Sequence, residues 1–548
     1  GFADAVLDPG NFEINATGDV TIASPGKLEF TGTGTFDSDG DFTAADGASI
    51  TFSAANSGTL QLATLTPKLG AAGGGNFTIG IGTVEYDLGG AQNIWDVPYY
   101  NLTINGSGTK TTSAKLDLEG DLTITAGILD IGTGDDDVDI GGNFSNSGSL
   151  TISGETVTFD GTGDKTSSAI SNAAGNLVVN KTSSGKVTFG GTGSFNDITV
   201  TAGTLDIGAQ TFTAAGVTDI DGTLNLGTGT FTADGEFDAS GGTGAVTFTA
   251  LEAGTLLLKG TVTSLGSFTS NSAGTVTYNH ATPIKQNLPG DITYNNLRIN
   301  NTSNVELTGD ATVGGELSFI NGIIDAHTNN KSLTFSTSGS VNAATTPDNT
   351  KYIDGKCAKI TNSITTFSFP VGDNDEQTPS SNVYRPISII TEGTNPTTFT
   401  VRQMAQKPTD GSTDASLNHI SGHYTVIGSN PIPTNPSGGF WWNIERSAIG
   451  GETNAKLFIS WQDENLYGTN GNSLSTDMAP LRFASWDGTS WSELPVNLSD
   501  PCEFNDGSMT STAFISNFVN IQFTLGSTDE SLYLPIDLVS FTGECINN

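Results

Sequence analysis

The sequence predicts an all-β chain: an N-terminal parallel β-helix-like solenoid of about 20 residues per rung, followed by a β-sandwich. Three observations predict it. Short apolar-alternating runs, each opened by a glycine, recur through the first 340 residues. A longer motif occurs three times with almost constant internal spacing. Proline and tryptophan usage then changes near residue 346.

The short runs set the rung. Gly26-Lys27-Leu28, Gly47-Ala48-Ser49-Ile50, Gly127-Ile128-Leu129 and Gly148-Ser149-Leu150 are spaced by 21 within each pair, and Gly203-Thr204-Leu205 precedes Gly222-Thr223-Leu224 by 19. A period near 20 residues is the length of one solenoid turn. Glycine is costly inside a helix and natural at a solenoid corner where φ > 0 is wanted. Between corners the pattern is that of strands. Phe212 and Phe231 are flanked by threonines pointing to the opposite face, and Leu205 alternates with Ile207. Apolar residues nowhere recur at helical spacing over a useful length.

The longer motif lies over the short one. Asn101-Leu102-Thr103-Ile104-Asn105 recurs as Asn176-Leu177-Val178-Val179-Asn180 and Asn296-Leu297-Arg298-Ile299-Asn300. Each copy follows a V-x-aromatic-(D/N) strand, at 84–87, 157–160 and 276–279. Each precedes a glycine strand at nearly the same offset: Gly127-Ile128-Leu129-Asp130, Gly203-Thr204-Leu205-Asp206 and Gly322-Ile323-Ile324-Asp325.

Six of the 19 prolines precede residue 346, and five of the six tryptophans follow it, so the second part builds a different, aromatic-rich core. Strands are predicted there at 366–370, 387–390, 398–402, 440–444, 457–461, 482–486 and 519–524, with Asp487-Gly488 as a hairpin turn. Seven or more short strands suggest an Ig-like sandwich. The predicted division is a solenoid over 1–345, a sandwich over 346–533, and the start of a further domain over 534–548.

Composition excludes several classes of partner. Net charge is −38, and only 14% of the residues are charged, against roughly 25% in an average globular protein. Nucleic acid and anionic membrane surfaces both demand Lys and Arg that this chain lacks. No run approaches the roughly 20 apolar residues of a membrane span, so membrane insertion is not expected. At 35% hydrophobic, the chain can build a core, which excludes charged disorder. Cys357, Cys502 and Cys545 are too few for a disulfide scaffold, and an odd count leaves one thiol without a partner in the chain. The opening Gly1-Phe2-Ala3-Asp4 has no basic or apolar leader, so the expectation is a signal removed or not included. Abundant Gly, Thr, Ser and Asn with few Lys fit a secreted, extracellular protein.

These motifs resemble secreted surface proteins of Bacteroidota. The V-x-Y-(D/N)…Q…YYNLxIN…GxLxLxG pattern is matched by 84–105, including Gln92 and Tyr99-Tyr100, while the third copy keeps Gln286 but has Tyr294-Asn295. Phe369-Pro370-Val371-Gly372, Tyr384-Arg385-Pro386-Ile387 and the run 484–491 resemble the module that follows such solenoids. The tail Leu534-Pro535-Ile536-Asp537-Leu538-Val539-Ser540-Phe541 resembles the segment that opens a further domain near a type IX secretion sorting signal. The resemblance implies export and a longer chain, with a partner for Cys545 in the missing part. It brings no catalytic residues.

The residues with chemistry to offer are few. Asp37, Asp39 and Asp41 have the alternating oxygens of a calcium loop but lack the downstream bidentate Glu, and solvated loops explain most such clusters in a chain with 58 acids. No cofactor is expected, with calcium at Asp37, Asp39 and Asp41 as the exception. Asp135-Asp136-Asp137 with Asp139, and Asp373-Asn374-Asp375-Glu376, are other carboxylate clusters. His419 and His423 have the four-residue spacing of zinc proteases, but Ile420 stands where the general-base Glu belongs; His280 and His327 are isolated in the sequence. Trp442 and Trp491 are the candidates for stacking on a sugar ring, with burial in the core as the commoner fate of such residues. Polysaccharide lyases and hydrolases need paired carboxylates or a basic groove, and the first 346 residues carry only eleven Lys and Arg. The chain is therefore expected not to be an enzyme. It is expected to be a stalk, adhesin or filament subunit that self-associates end to end or contacts other surface proteins. A carbohydrate-binding adhesin is the alternative, and a polysaccharide-degrading enzyme ranks after it.

Overall fold

The structure is a computed structural model that describes residues 5–53, 55, 57–70, 76–132, 136–171, 174–182, 184–248, 253–269, 273–281, 283–374, 383–404, 412–413, 419–420, 440–448, 453–461, 481–499, 507–516, 518 and 521–527. It is all-β, and the chain divides into two compact units, Gly1–Gly274 and Thr275–Asn548.

In the first unit each turn of chain lays down short strands on three faces, and each strand pairs in parallel with its counterpart one turn away. One face is a single sheet of thirteen parallel strands, from Glu13–Ala16 to Ser267–Thr269. A second face begins as four strands, Val6–Leu7 to Phe77–Thr78, and is carried on by an eight-stranded sheet from Leu116–Leu118 to Val262–Ser264. The third is built from shorter sheets, including Val20–Ile22 to Lys68–Leu69 and Gln92–Asn93 to Ser149–Thr151. This is a parallel β-solenoid, as the repeats predict. Its turns are less even than the glycine spacing suggests. Thr59 pairs with Thr83 and Thr83 in turn with Asn101, so the first of these turns takes distinctly more chain than the second. Corner loops take up the difference, so the strands stay in register.

The interior is a set of stacked columns. Phe36, Leu60, Val84, Leu102, Leu122 and Phe144 follow one another in register, and none is more than 3% exposed. Phe30 and Phe52 stack face to face at 4.5 Å between ring centres. Burying each such side chain contributes about 1.5–3 kcal/mol before chain entropy is counted.

The long motif is a pair of consecutive rungs. Val84 and Tyr86 pair with Leu102 and Ile104; Val157 and Phe159 pair with Leu177 and Val179; Val276 and Tyr278 pair with Leu297 and Ile299. Its glycines, Gly127, Gly203 and Gly322, all adopt left-handed backbone (φ 76°, 79° and 93°). Gly222 is glycine for another reason, because a Cβ there would lie 2.5 Å from the Gly203 carbonyl of the previous rung.

The motif's first asparagine spans the gap between rungs. Oδ1 of Asn101, Asn176 and Asn296 accepts a hydrogen bond from the backbone N–H of Asp121, Asp197 and Glu316, at 2.9, 3.2 and 3.1 Å. Asp121 does the same for Asn143, and Asp197 for Val217. In the first and third copies two tyrosines meet inside the stack, with Tyr86 and Tyr99 hydroxyls 2.8 Å apart and those of Tyr278 and Tyr294 3.1 Å apart. The second copy carries Phe159 and Ala174 at the matching positions, so both hydroxyls are lost together.

The second unit opens as a solenoid of the same kind. Parallel pairing continues past residue 345: Ile324 pairs with Ile353 and Ile353 with Val371, while Ser332–Phe335 pairs with Lys356–Thr361. Pro347 and the residues around it form a longer corner between Ser340–Val341 and Ile353–Asp354 rather than the end of stacking. Antiparallel pairing then takes over. Lys356–Thr361 pairs with Thr397–Met404, which leads to Trp441–Ala448, Ile521–Ser527, Leu481–Trp486 and Ser490–Leu494. A separate antiparallel sheet holds Thr366–Phe369, Ile387–Thr391, Ala455–Trp461, Gly507–Ser511 and Val496–Ser499. The predicted hairpin forms with Trp486 opposite Trp491, but the turn is centred one residue later. Asp487 N–H donates to the Ser490 carbonyl, Asp487 Oδ1 accepts from the N–H of Thr489 and of Ser490, and Gly488 takes φ 100°.

Candidate functional site

The calcium candidates are spread along one rung. Asp37 lies on Thr35–Ser38 in an outward column between Asn15 and Gln61. Burial first, then the charges of Asp39, Glu13 and Glu85, hold its carboxyl above the usual range. Asp39 is exposed, and its N–H donates to the Ala16 carbonyl. Asp41 bridges rungs, donating its N–H to Asp19 Oδ1 (3.1 Å) and accepting at Oδ1 from Thr64 Oγ1 (2.8 Å). Its carboxylate thus does the same rung-joining work as Asn101.

The two tryptophans are packed inside. Trp442 is 2% exposed, donates its indole N–H to the Arg385 carbonyl (2.9 Å) and meets Phe440 edge to face. Trp491 is 0% exposed and packs against Trp486. Neither presents an open ring face to a sugar. His419 lies on a short strand opposite Ser527 rather than on a helix, and His423, Cys502, Cys545, Asp135, Asp375, Glu376 and residues 534–548 lie outside the described residues. Cys357 is a free, buried thiol whose proton is held firmly by burial.

The strongest gathering of ligand-type atoms is one that the sequence does not bring together. His327, Asp354 and Asp373 each place one such atom within 4.8 Å of the others. The fold assembles them from three successive turns. His327 follows Ile324–Asp325, Asp354 ends Ile353–Asp354, and Asp373 ends Val371–Asp373, with Asp325 opposite Asp354 and Asp354 opposite Gly372. Asp354 and Asp373 are 5% and 3% exposed, whereas the imidazole is accessible. His327 Nδ1 is 3.8 Å from Asp354 Oδ1.

Asp325 holds the loop in place. Its Oδ1 accepts from the N–H of His327 and of Thr328, and its Oδ2 accepts from Thr328 Oγ1 and from the Lys285 ammonium at 2.8 Å. Burial acts to raise this carboxyl, but the Lys285 and Thr328 bonds outweigh it and leave Asp325 below the usual range. Asp354 goes the other way. Burial, then the charges of Asp373 and Asp325, push it up to about 8, with Arg402 and the Asn374 N–H pulling back. A carboxyl so placed either keeps a proton near neutral pH or shares a cation with its neighbour. Tyr352 is fully buried, and its phenol is held protonated by burial and by the charges of Asp354 and Asp373, against Arg385.

Only Asp373 stood out in the sequence, as part of an acidic run. His327 and Asp354 are far apart along the chain and carry no local motif. No protein-family profile, curated protein or solved structure matches the chain. Among the described residues, no helix is long and apolar enough to cross a membrane.

Proposed function

We propose that the chain is an extracellular structural protein of the bacterial cell surface, a stalk or filament subunit. The observation that carries this reading is the thirteen-stranded parallel sheet of the first unit, whose rungs are joined by side-chain as well as backbone bonds. At about 4.8 Å per strand it spans roughly 55–60 Å with one continuous hydrogen-bond direction. Such a stack supplies length and stiffness without ligand chemistry.

Exposed apolar side chains near the Val6–Leu7 strand suit self-association. Val6–Leu7, Glu13–Ala16 and Val20–Ile22 each begin a sheet, and Val6, Leu7 and Phe12 are 51%, 44% and 78% exposed. The antiparallel strands of the second unit fit a β-sandwich that follows the stack, and the acidic composition discourages random association. Export through a type IX route belongs to the same reading. The buried tryptophans give the glycan-binding alternative no support.

Negative-stain electron microscopy of the purified chain over a concentration series tests the proposal. Particles that lengthen with concentration are expected. Discrete particles of constant size at every concentration would remove the filament version.

A further inference from the structure

We infer that His327, Asp354 and Asp373 form a binding site for a divalent transition-metal ion, zinc above all, that cross-braces the last three parallel turns of one solenoid face. The donor set is one imidazole nitrogen and two carboxylates, the mixture that suits zinc. Zinc sits about 2.0–2.2 Å from such ligands, so paired donors around a tetrahedral ion lie roughly 3.3–3.6 Å apart. His327 Nδ1 and Asp354 Oδ1 are 3.8 Å apart and all three ligand atoms fall within 4.8 Å, so small side-chain shifts, each under about 1 Å, close the site.

A second observation points into the same place. Tyr352 is 0% exposed, and its hydroxyl has no hydrogen-bond partner. Tyr352 precedes Asp354 by two residues in the chain, and its ring stacks on Tyr384, which pairs opposite Gly372 beside Asp373. A buried phenol without an acceptor carries an unmet need, and a water bound to the ion would meet it. The site thus offers three protein ligands and leaves the fourth position to water. Calcium takes six to eight oxygens and has no use for the imidazole.

Charge argues the same way. Lys285 neutralises Asp325, which is thereby committed to positioning the His327 loop. Asp354 and Asp373 set two buried carboxylates side by side, and a divalent ion between them would offset their charge. The three ligands come from successive turns at the place where Val371–Asp373 pairs in parallel on one side and antiparallel with Val383–Tyr384 on the other. A metal there would lock the end of the parallel stack.

The test uses the full chain stripped with chelator, titrated with ZnCl2 and separately with CaCl2 by calorimetry, with thermal unfolding in parallel. Asp354→Asn preserves the shape of a protonated acid, and His327→Ala removes an accessible ring, so both variants should fold. Wild type should bind one more zinc than Asp354→Asn and gain thermal stability from it. His327→Ala should bind that zinc at least about tenfold more weakly. Equal zinc stoichiometry in wild type and Asp354→Asn, no zinc binding at all, or calcium binding that survives His327→Ala would each overturn the assignment.

Discussion

Asn101 Oδ1 accepts the backbone N–H of Asp121 one turn further on, at 2.9 Å, and Asp121 Oδ1 accepts that of Asn143 at 2.7 Å. These bonds fall at strand entries, where the next rung's N–H would otherwise face a corner. Asn101→Ala should therefore cost about 1 kcal/mol of unfolding free energy, and Asn101→Asp distinctly less, because a carboxylate already serves at 121 and 197. Urea unfolding of the three proteins checks the order.

The interior tyrosine pair makes a second prediction. Tyr86 accepts from the Trp95 N–H (3.0 Å) while Tyr99 donates to the Trp95 carbonyl (2.6 Å), so the two hydroxyls fold one loop onto the stack. Tyr86→Phe leaves a buried N–H without its acceptor and should cost about 1–3 kcal/mol. Adding Tyr99→Phe should cost much less than its single-mutant value, since the pair acts as a unit. A thermal double-mutant cycle that came out additive would contradict this.

Buried lysine is a device with no sequence signature. Lys110 is 0% exposed, and its ammonium donates to the carbonyls of Leu88, Gly90, Gly106 and Ser107 at 2.7–3.2 Å. Lys359 repeats the arrangement with Ser336, Thr337 and Gly339. Lys110→Met should cost about 2–4 kcal/mol despite its good volume match, because corner carbonyls lose a charged donor. A change of less than about 0.5 kcal/mol, the size typical of an ordinary surface position, would show the ammonium to be dispensable.

Asp87 supplies the pH dependence. Burial, then the charges of Glu85 and Asp37, push its carboxyl up to about 6 from the ordinary 3.8. Between about pH 4 and 6 the folded chain then holds a proton that the unfolded chain has released, so stability falls as pH rises through that window. Asp87→Asn should leave stability unchanged below pH 4 and raise it above pH 6. Chemical unfolding at pH 4, 5, 6 and 7 measures the slope; a variant parallel to wild type throughout would assign the slope to other groups.

The solenoid was legible because its grammar is local. Alternation marks strands, the left-handed Gly127, Gly203 and Gly322 mark corners, and the asparagine of N-L-x-I-N marks the joint between rungs. The role of that asparagine could itself have been inferred, since only a side-chain acceptor explains its recurrence outside the apolar face. Register was not legible. The unequal steps from Thr59 to Thr83 and from Thr83 to Asn101 depend on how each corner loop packs, and sequence spacing reports the average. His327, Asp354 and Asp373 stayed hidden for the same reason: they meet only once three turns are stacked in their actual register. The burial of Trp442 and Trp491, by contrast, is the commoner expectation for such residues, and the pairing sets them opposite Phe523 and Trp486 respectively.

The central claim is that stacked rungs form the axis of an assembled structural element, and X-ray diffraction from oriented, concentrated protein tests it most directly. The account predicts a reflection near about 4.8 Å along the assembly axis, because every solenoid strand lies across that axis and repeats at the strand spacing. The same reflection, at about 4.8 Å, lying perpendicular to the axis, or material that never orients, would contradict it.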